Sequence, residues 1–422
     1  MLYRFAWVMM WVTFRIFFRK IEAVGREKLS NSEPAILIAN HPASFLDAMV
    51  LAVFLRRSIH FYVRGDIFSH PLGYRILTLL HMIPIFSREH GTSNLSRNNR
   101  TFERGRDLLS SGKLLLIFPE GFSRLSKELV PLKKGAARVA LQTAFGDGAV
   151  RPLIIQTVAI DYSFHGYGAQ LFIRVGDSMN LTSYEQEYRH QPSVCINHLT
   201  RDMQQLFQQN VIHLKDGERT VVAERFMRLI HAVHNVWGES YFLTMQSVCH
   251  TIDALNEQEW SHAVENMASY EAALSSFGLS DASVAQLGTA HSMDYLRAII
   301  FMVPGLIGGM LWGLPEHLSK WIANKTVTRI DFYTSVHTAV LGVLGLLWCS
   351  ALALLLYRMG VGWFALLGYA SPLFFYCYRQ FMLNWTEINT TMRVRKLIRS
   401  NDQGFASLST DQRALIQLFS LQ

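Results

Sequence analysis

The chain has 422 residues, 50% of them hydrophobic and 12% aromatic, with a mean hydropathy of +0.15, more apolar than is usual for a soluble enzyme of this length. Forty Lys and Arg against 32 Asp and Glu give a formal charge of +8, which suits anionic lipid surfaces, nucleic acid or phosphorylated substrates. No zinc-finger spacing and no aromatic RNA-binding strand pair is present, and Cys195, Cys249, Cys349 and Cys377 form no Cys-x-x-Cys, so nucleic acid, a disulfide framework and a zinc site are set aside and membrane lipid takes the charge.

The first twenty residues are apolar and aromatic but carry Arg4, Arg15, Arg19 and Lys20, with no small-residue cleavage site after a clean apolar stretch. Phe5, Trp7, Trp11, Phe14, Phe17 and Phe18 among those arginines predict an interfacial membrane helix over 1–20; a core helix of the first domain is the competing reading. From about 21 to 182, short apolar strands alternate with helical stretches. Strands are predicted at 35–39, 60–63, 83–86, 114–118, 150–162 and 171–175, and helices at 44–55, 73–80, 95–110 and 135–143. This predicts an α/β domain, a mixed sheet flanked by helices. Residues 183–295 turn rich in Gln, His, Glu and Ser, and helical spacing appears at 194–211 and 221–237. A helical region is predicted, its scattered histidines solvated or packed rather than metal-bound.

The last third is apolar again. Residues 298–314 are short for a crossing and hold Pro304, Gly305, Gly308 and Gly309, so a re-entrant segment broken at Pro304 is predicted. Spanning helices follow at 336–357 and 361–378, forming a transmembrane hairpin near the length a bilayer core requires. Lys320, Lys325 and Arg329 and the basic tail 381–422 place both flanks on the cytoplasmic side.

Two segments carry chemistry. Ala35–Ala39 runs into Asn40-His41-Pro42-Ala43-Ser44-Phe45-Leu46-Asp47. Pro42 suits the first turn of a helix and leaves His41 at the strand end, where a neutral imidazole takes a proton from an alcohol while Asp47 fixes its tautomer. The alternative is that Ser44-x-x-Asp47 is a capping box and His41 an ordinary loop histidine. Leu114–Ile117 runs into Phe118-Pro119-Glu120-Gly121-Phe122-Ser123-Arg124, a tight loop whose Arg124, with Lys133 or Lys134, is suited to a phosphate. A plain surface turn with a local Glu–Arg pair is the competing reading. Arg88, and with less support Arg64, follow other strands and add candidate phosphate contacts.

In order and spacing these segments resemble the glycerolipid acyltransferase family over roughly residues 20–182. Asn40, His41 and Asp47 match its first motif, Arg88 its second, Phe118 to Arg124 its third in full, and Pro152-Leu153-Ile154-Ile155 its fourth weakly. One departure is the five residues between His41 and Asp47, where the usual spacing is four; a longer form resembles a subset of the family. The stretch Arg329 to Ser335 looks like larger members, some of which acylate glycerol-3-phosphate or dihydroxyacetone phosphate. The resemblance implies transfer of a fatty acyl group from acyl-CoA or acyl-carrier protein to the hydroxyl of 1-acylglycerol-3-phosphate or glycerol-3-phosphate. His41 and Asp47 would be catalytic. Arg88, Glu120, Gly121, Ser123, Arg124 and Lys133 would position the acceptor, with no metal and no cofactor beyond the acyl thioester. It further implies membrane lipids as partners and a catalytic domain on the cytoplasmic face of a membrane, such as a bacterial inner membrane. Another lysolipid acceptor, such as a lyso-aminolipid, and a non-catalytic scaffold with the same fold are the rival readings.

Overall fold

The computed structural model describes residues 1–55, 57–86, 95–287 and 292–419, excepting the side chains of 95–99 and 292–294. Residues 1–11, 21–162 and 171–213 form one compact unit; 12–20, 163–170 and 214–422 form a second. The chain opens with α1 (Leu2–Phe17). Its Phe14 and Phe17 are fully buried, while Phe5, Trp7, Val8 and Trp11 are exposed.

The first unit is built on a seven-stranded sheet: β1 (Lys20–Val24), β2 (Ala35–Ala39), β3 (Ile59–Arg64), β4 (Met82–Ile85), β5 (Leu114–Ile117), β6 (Ile154–Tyr162) and β7 (Gln170–Asn180). The strand order is β1-β7-β6-β2-β5-β3-β4. The run β6-β2-β5-β3-β4 is parallel, and β7 lies antiparallel on β6. β2 is an unbroken buried run, as a strand covered on both faces must be. Helices α2 (Phe45–Phe54), α3 (Pro71–Leu79), α4 (Leu95–Ser110) and α5 (Gly135–Phe145) connect these strands, close to the predicted positions. Three strands differ: β1 was not anticipated, β7 continues to Asn180 rather than stopping at 175, and β6 begins after Pro152, which cannot donate to a ladder.

α6 (Glu185–His190) and α7 (Pro192–Asn210) belong to this sheet unit, so it continues to His213 rather than ending at 182. The reason is the buried stripe Cys195, Leu199, Met203 and Phe207, four residues apart on α7, together with Gln204, which accepts from the Leu132 N–H at 2.8 Å.

The second unit holds α8 (Thr220–His234), α9 (Glu239–Ala254), α10 (Glu257–Phe277), α11 (Asp281–Ala285), α12 (Ser292–Thr326), α13 (Ile330–Arg358), α14 (Ser371–Arg399) and α15 (Gln403–Gln417). The predicted break at Pro304 is absent. Pro304 and Pro315 both lie inside one 35-residue helix, α12. Its Gly305 and Gly308 press against the backbone of Phe374, Cys377 and Tyr378 on α14, and Gly309 against the Tyr378 ring, so close that a Cβ at Gly308 would collide with the Phe374 carbonyl. The predicted second span, 361–378, is also not one helix. Gly360 and Gly362 turn the chain with φ of +82° and +61°, a 3-10 stretch covers 362–370, and only from Ser371 does α14 begin. Two helices, Tyr295–Thr326 within α12 and Ile330–Arg358, are long and apolar enough to cross a membrane. The tail is folded as well: α15 buries Phe405, Leu408, Gln412 and Leu415, and Gln412 donates to the Tyr270 hydroxyl at 2.8 Å.

Candidate active site

Strand β2 sits between β5 and β6, and the chain leaves it toward opposite edges of the sheet, so the carboxyl ends of three adjacent parallel strands frame one crevice. Each strand contributes. Beyond the last β2–β6 pair, Asn40 extends the ladder with its side chain: Nδ2 donates to the Ile160 carbonyl and Oδ1 accepts from the Ile160 N–H, both at 2.8 Å. That amide-for-peptide substitution fixes where the chain turns into His41.

His41 Nδ1 lies 2.8 Å from Asp47 Oδ2. Asp47 is fully buried, and its other contacts are full: the Ala43 N–H donates to Oδ2 and the Tyr162 hydroxyl to Oδ1, each at 2.8 Å. Burial, reinforced by the Asp47 charge, pushes the Tyr162 phenol far up, so it stays a donor. The imidazole also stacks on Phe118, centroids 3.8 Å apart and planes 10° from parallel. Ring orientation and tautomer are thus held from two sides, leaving Nε2 for a substrate. The capping-box alternative does not describe this loop: Ser44 makes no side-chain cap, and Asp47 turns to Ala43 and His41 instead.

The second loop is tied to the first. The Arg124 N–H donates to the His41 carbonyl at 3.1 Å, and Phe118-Pro119-Glu120-Gly121 closes as a turn through Gly121 N–H to Phe118 O, also at 3.1 Å. Gly121 has φ +80°, which strains any L side chain, and Lys133 Nζ lies across it, 2.6 Å from where a Cβ would stand. Lys133 N–H donates to the Pro119 carbonyl at 2.9 Å, which anchors that lysine's segment to the loop. Lys133 Nζ and the Arg124 guanidinium stand 5.6 and 5.7 Å from the centre of the exposed Phe122 ring, two cations beside one aromatic. Arg124 also reaches Glu128 at 3.2 Å, a partly exposed pair.

Glu120 is buried, 5% exposed, rather than turned to solvent. Burial raises its carboxyl to about 7, against the pull of the His41 and Arg124 charges and of hydrogen bonds from the His41 and Val130 backbone. Its carboxyl thereby links the His41 backbone to that of Val130. Ser123 is buried in the same loop. Lys127 and Asp161 form a further buried pair at 2.6 Å. Sequence reasoning missed Tyr162, Phe118 and this pair; the one signal for Tyr162 was its place at the end of a strand next to β2. Arg64 is exposed and pairs with Asp66 at 2.8 Å. Arg88 lies outside the described residues. Among the described residues no cluster of three or more His, Cys, Asp or Glu is placed to hold a metal ion.

Residues 20–161 match the protein family described as Acyltransferase. A 1-acyl-sn-glycerol-3-phosphate acyltransferase of Chlamydomonas reinhardtii is 32% identical over 145 residues, covering 32% of this chain and 41% of that protein. A chloroplastic 1-acyl-sn-glycerol-3-phosphate acyltransferase of Arabidopsis thaliana is 32% identical over 136 residues, covering 32% of this chain and 36% of that one. The crystal structure of the 1-acyl-sn-glycerophosphate acyltransferase from Thermotoga maritima aligns with a TM-score of 0.33 at 16% identity, over 46% of this chain and 78% of that one. The chain spans less than half the length of either curated relative. With the His41–Asp47 pair and the Phe118–Arg124 loop in place at one sheet end, residues 20–161 form a domain of the Acyltransferase family, similar to that of the 1-acyl-sn-glycerol-3-phosphate acyltransferases.

Proposed function

We propose that the protein is a membrane-associated enzyme that moves a fatty acyl group from an acyl thioester, acyl-CoA or acyl-carrier protein, to the free hydroxyl of 1-acylglycerol-3-phosphate. The observation that carries the reading is the 2.8 Å contact between His41 and a fully buried, fully bonded Asp47. In this mechanism His41 Nε2 takes the hydroxyl proton as the acceptor oxygen attacks the thioester carbonyl. Asp47 stabilises the imidazolium that forms. The tetrahedral intermediate then collapses: the carbon–sulfur bond breaks, and the imidazolium returns the proton to the departing thiolate. No acyl-enzyme, metal or cofactor is used. Arg124 and Lys133, flanking Phe122, hold the acceptor phosphate, and Gly121 keeps the backbone close to it. Arg88 is assigned to the same phosphate by sequence alone.

The acceptor is chosen on the names of the plant and algal relatives. Glycerol-3-phosphate shares the phosphate and the hydroxyl and is the second choice. The helices α12 and α13 attach the chain to the bilayer, with the acyltransferase domain on the cytoplasmic side. The test is acyl transfer by purified, detergent-solubilised protein, offered labelled acyl-CoA or acyl-carrier protein with 1-acylglycerol-3-phosphate, glycerol-3-phosphate and a lyso-aminolipid in parallel. Product from a phosphorylated acceptor that vanishes in folded His41→Ala supports the reading. Transfer that survives His41→Ala, or none with any acceptor, rejects it.

A further inference from the structure

Arg379 on α14 has no carboxylate within ion-pair distance among the described residues, and its buried Nε makes no hydrogen bond. Its guanidinium carbon stands instead 3.5 Å from the centre of the Tyr167 ring. The chain on either side holds Tyr167 there: the Gly168 N–H donates to the Phe17 carbonyl at 2.9 Å and the Arg19 N–H to the Ala169 carbonyl at 2.8 Å. The Tyr167 hydroxyl is buried and without a partner. His337 of α13, 1% exposed, closes the group. Its ring centre is 5.9 Å from that of Tyr167 and 5.2 Å from that of Phe17, and neither ring nitrogen is hydrogen-bonded. Lys320 of α12 completes it, with Nζ 5.4 Å from the Tyr167 ring centre and 2.7 Å from the Glu316 carboxylate.

A buried polar group without a partner is unfavourable, and three side chains carrying such groups around one ring call for a ligand. What they offer is donors: an arginine N–H, a phenol and one imidazole N–H. Burial holds the Tyr167 phenol well above its ordinary range, so it keeps its proton. Arg379 and Lys320 against Glu316 leave one positive charge in excess, which matches the single negative charge of a phosphodiester. The walls of the site favour an anion that carries apolar chains. Trp312, Glu316 and Lys320 recur every four residues on α12, as Phe375 and Arg379 do on α14, so each stripe is polar at one end and apolar at the other. The apolar ends meet in a cluster of Ile16, Trp312, Cys349 and Phe375, against which Tyr167 itself packs. The helices concerned, α12 and α13, are long and apolar enough to cross a membrane.

We propose that Arg379, Tyr167 and His337 bind the phosphate of an anionic phospholipid whose acyl chains lie against Trp312 and Phe375. The site lies wholly within the second unit and shares no residue with the His41 crevice. It does not depend on the acyl transfer proposed above.

The test is a calorimetric titration of the delipidated, full-length protein in detergent. Three probes separate head from chains: dioctanoylphosphatidylglycerol, dioctanoylglycerol and inorganic phosphate. Phosphatidylglycerol is neither acceptor nor product of the proposed reaction, and Arg124→Ala is titrated beside the parent to tell binding in the crevice apart. One saturable site is expected for phosphatidylglycerol, equally tight in Arg124→Ala, with dioctanoylglycerol weaker by about tenfold or more. Tyr167→Phe and Arg379→Gln should each weaken phosphatidylglycerol by about tenfold or more, and Lys325→Gln, which removes an exposed cation of the same helix as Lys320, by less than about twofold. Tyr167→Phe deletes a hydroxyl that has no partner in the chain, so without lipid its unfolding temperature should equal or exceed the parent's. Only the rise on adding phosphatidylglycerol should shrink. No saturable binding, binding lost in Arg124→Ala, or binding unchanged in both Tyr167→Phe and Arg379→Gln overturns the proposal. Inorganic phosphate held as tightly as the lipid overturns the phospholipid assignment in favour of a free anion.

Discussion

Asp47→Asn isolates what the buried carboxylate contributes. Asn is nearly isosteric, and its amide fits the same contacts: the carbonyl oxygen can accept from Ala43 N–H and His41, while the NH₂ donates to a Tyr162 hydroxyl that has rotated to accept. The fold should survive. What goes is one negative charge, with Oδ2 at 2.8 Å from His41 Nδ1. Charge centres about 4 Å apart at an effective dielectric of about 20 interact by roughly 4 kcal/mol. That interaction exists only when the imidazole has taken the proton, so it acts on the transition state. It corresponds to about 10³ in rate. We expect kcat to fall about a thousandfold, within the range of general-base assistance, with KM for the acceptor little changed. The assay is initial-rate acyl transfer by Asp47→Asn, His41→Ala and the double variant. Because the two groups act as a unit, the double variant should be no worse than His41→Ala alone. A variant retaining more than a tenth of the parent's turnover, or losses that multiply in the double variant, would refute the assignment of Asp47 as the partner of the base.

Tyr162→Phe removes a hydroxyl that donates to the fully buried Asp47, which should cost about 1.5–3 kcal/mol of stability, seen as a lower unfolding temperature, with a far smaller loss of turnover than Asp47→Asn. Burial raises the Glu120 carboxyl from the ordinary 4.5 to about 7, so between those values the folded protein keeps a proton that the unfolded chain has lost, and stability falls as pH rises through that window by up to about 3 kcal/mol. Glu120→Gln removes that loss; its unfolding temperature relative to the parent should therefore rise between pH 5 and pH 8, and a pH-independent difference would contradict the raised carboxyl. A cysteine at Thr328, in the turn between α12 and α13, should react with an impermeant thiol reagent only from the face opposite the acyltransferase domain; labelling from the same face would restore the re-entrant reading of 298–314.

The site was legible because its chemistry sits at strand ends. The apolar run Ala35–Ala39 and the run Leu114–Ile117 were both found in register, and each delivered its loop to the same crevice. Tyr162 escaped because nothing local distinguishes it; its role comes from β6 lying next to β2, a pairing across 115 residues of chain. The burial of Glu120 escaped as well, because nothing in Phe118–Arg124 read alone says which side chains of the loop pack away from solvent. The C-terminal third was misread for a related reason. Proline and glycine in Ala298–Leu314 imply a break when read alone, but the glycines are the surface on which α14 closes, and that partner lies some seventy residues further on. Local rules speak for isolated helices; a helix held by a close neighbour answers to the contact.

The five-residue interval between His41 and Asp47 shows how such a contact is preserved when the loop lengthens. A longer loop would ordinarily carry Asp47 past the imidazole along the first turn of α2. Here Ser44 takes φ +53° and ψ −141°, a backbone turn rare outside glycine, just before the helix starts. That kink folds the extra length back on itself: Leu46 and Asp47 N–H close short turns onto Ala43 and Ser44, and the Ala43 N–H points at the Asp47 carboxylate. The strain at Ser44 is of order 1–3 kcal/mol, and it is offset by a buried charge that gains three hydrogen-bond partners at 2.8 Å. The chemistry therefore constrains the distance from Nδ1 to Oδ2, not the count of residues between them, and the kink at Ser44 is how this chain meets that constraint.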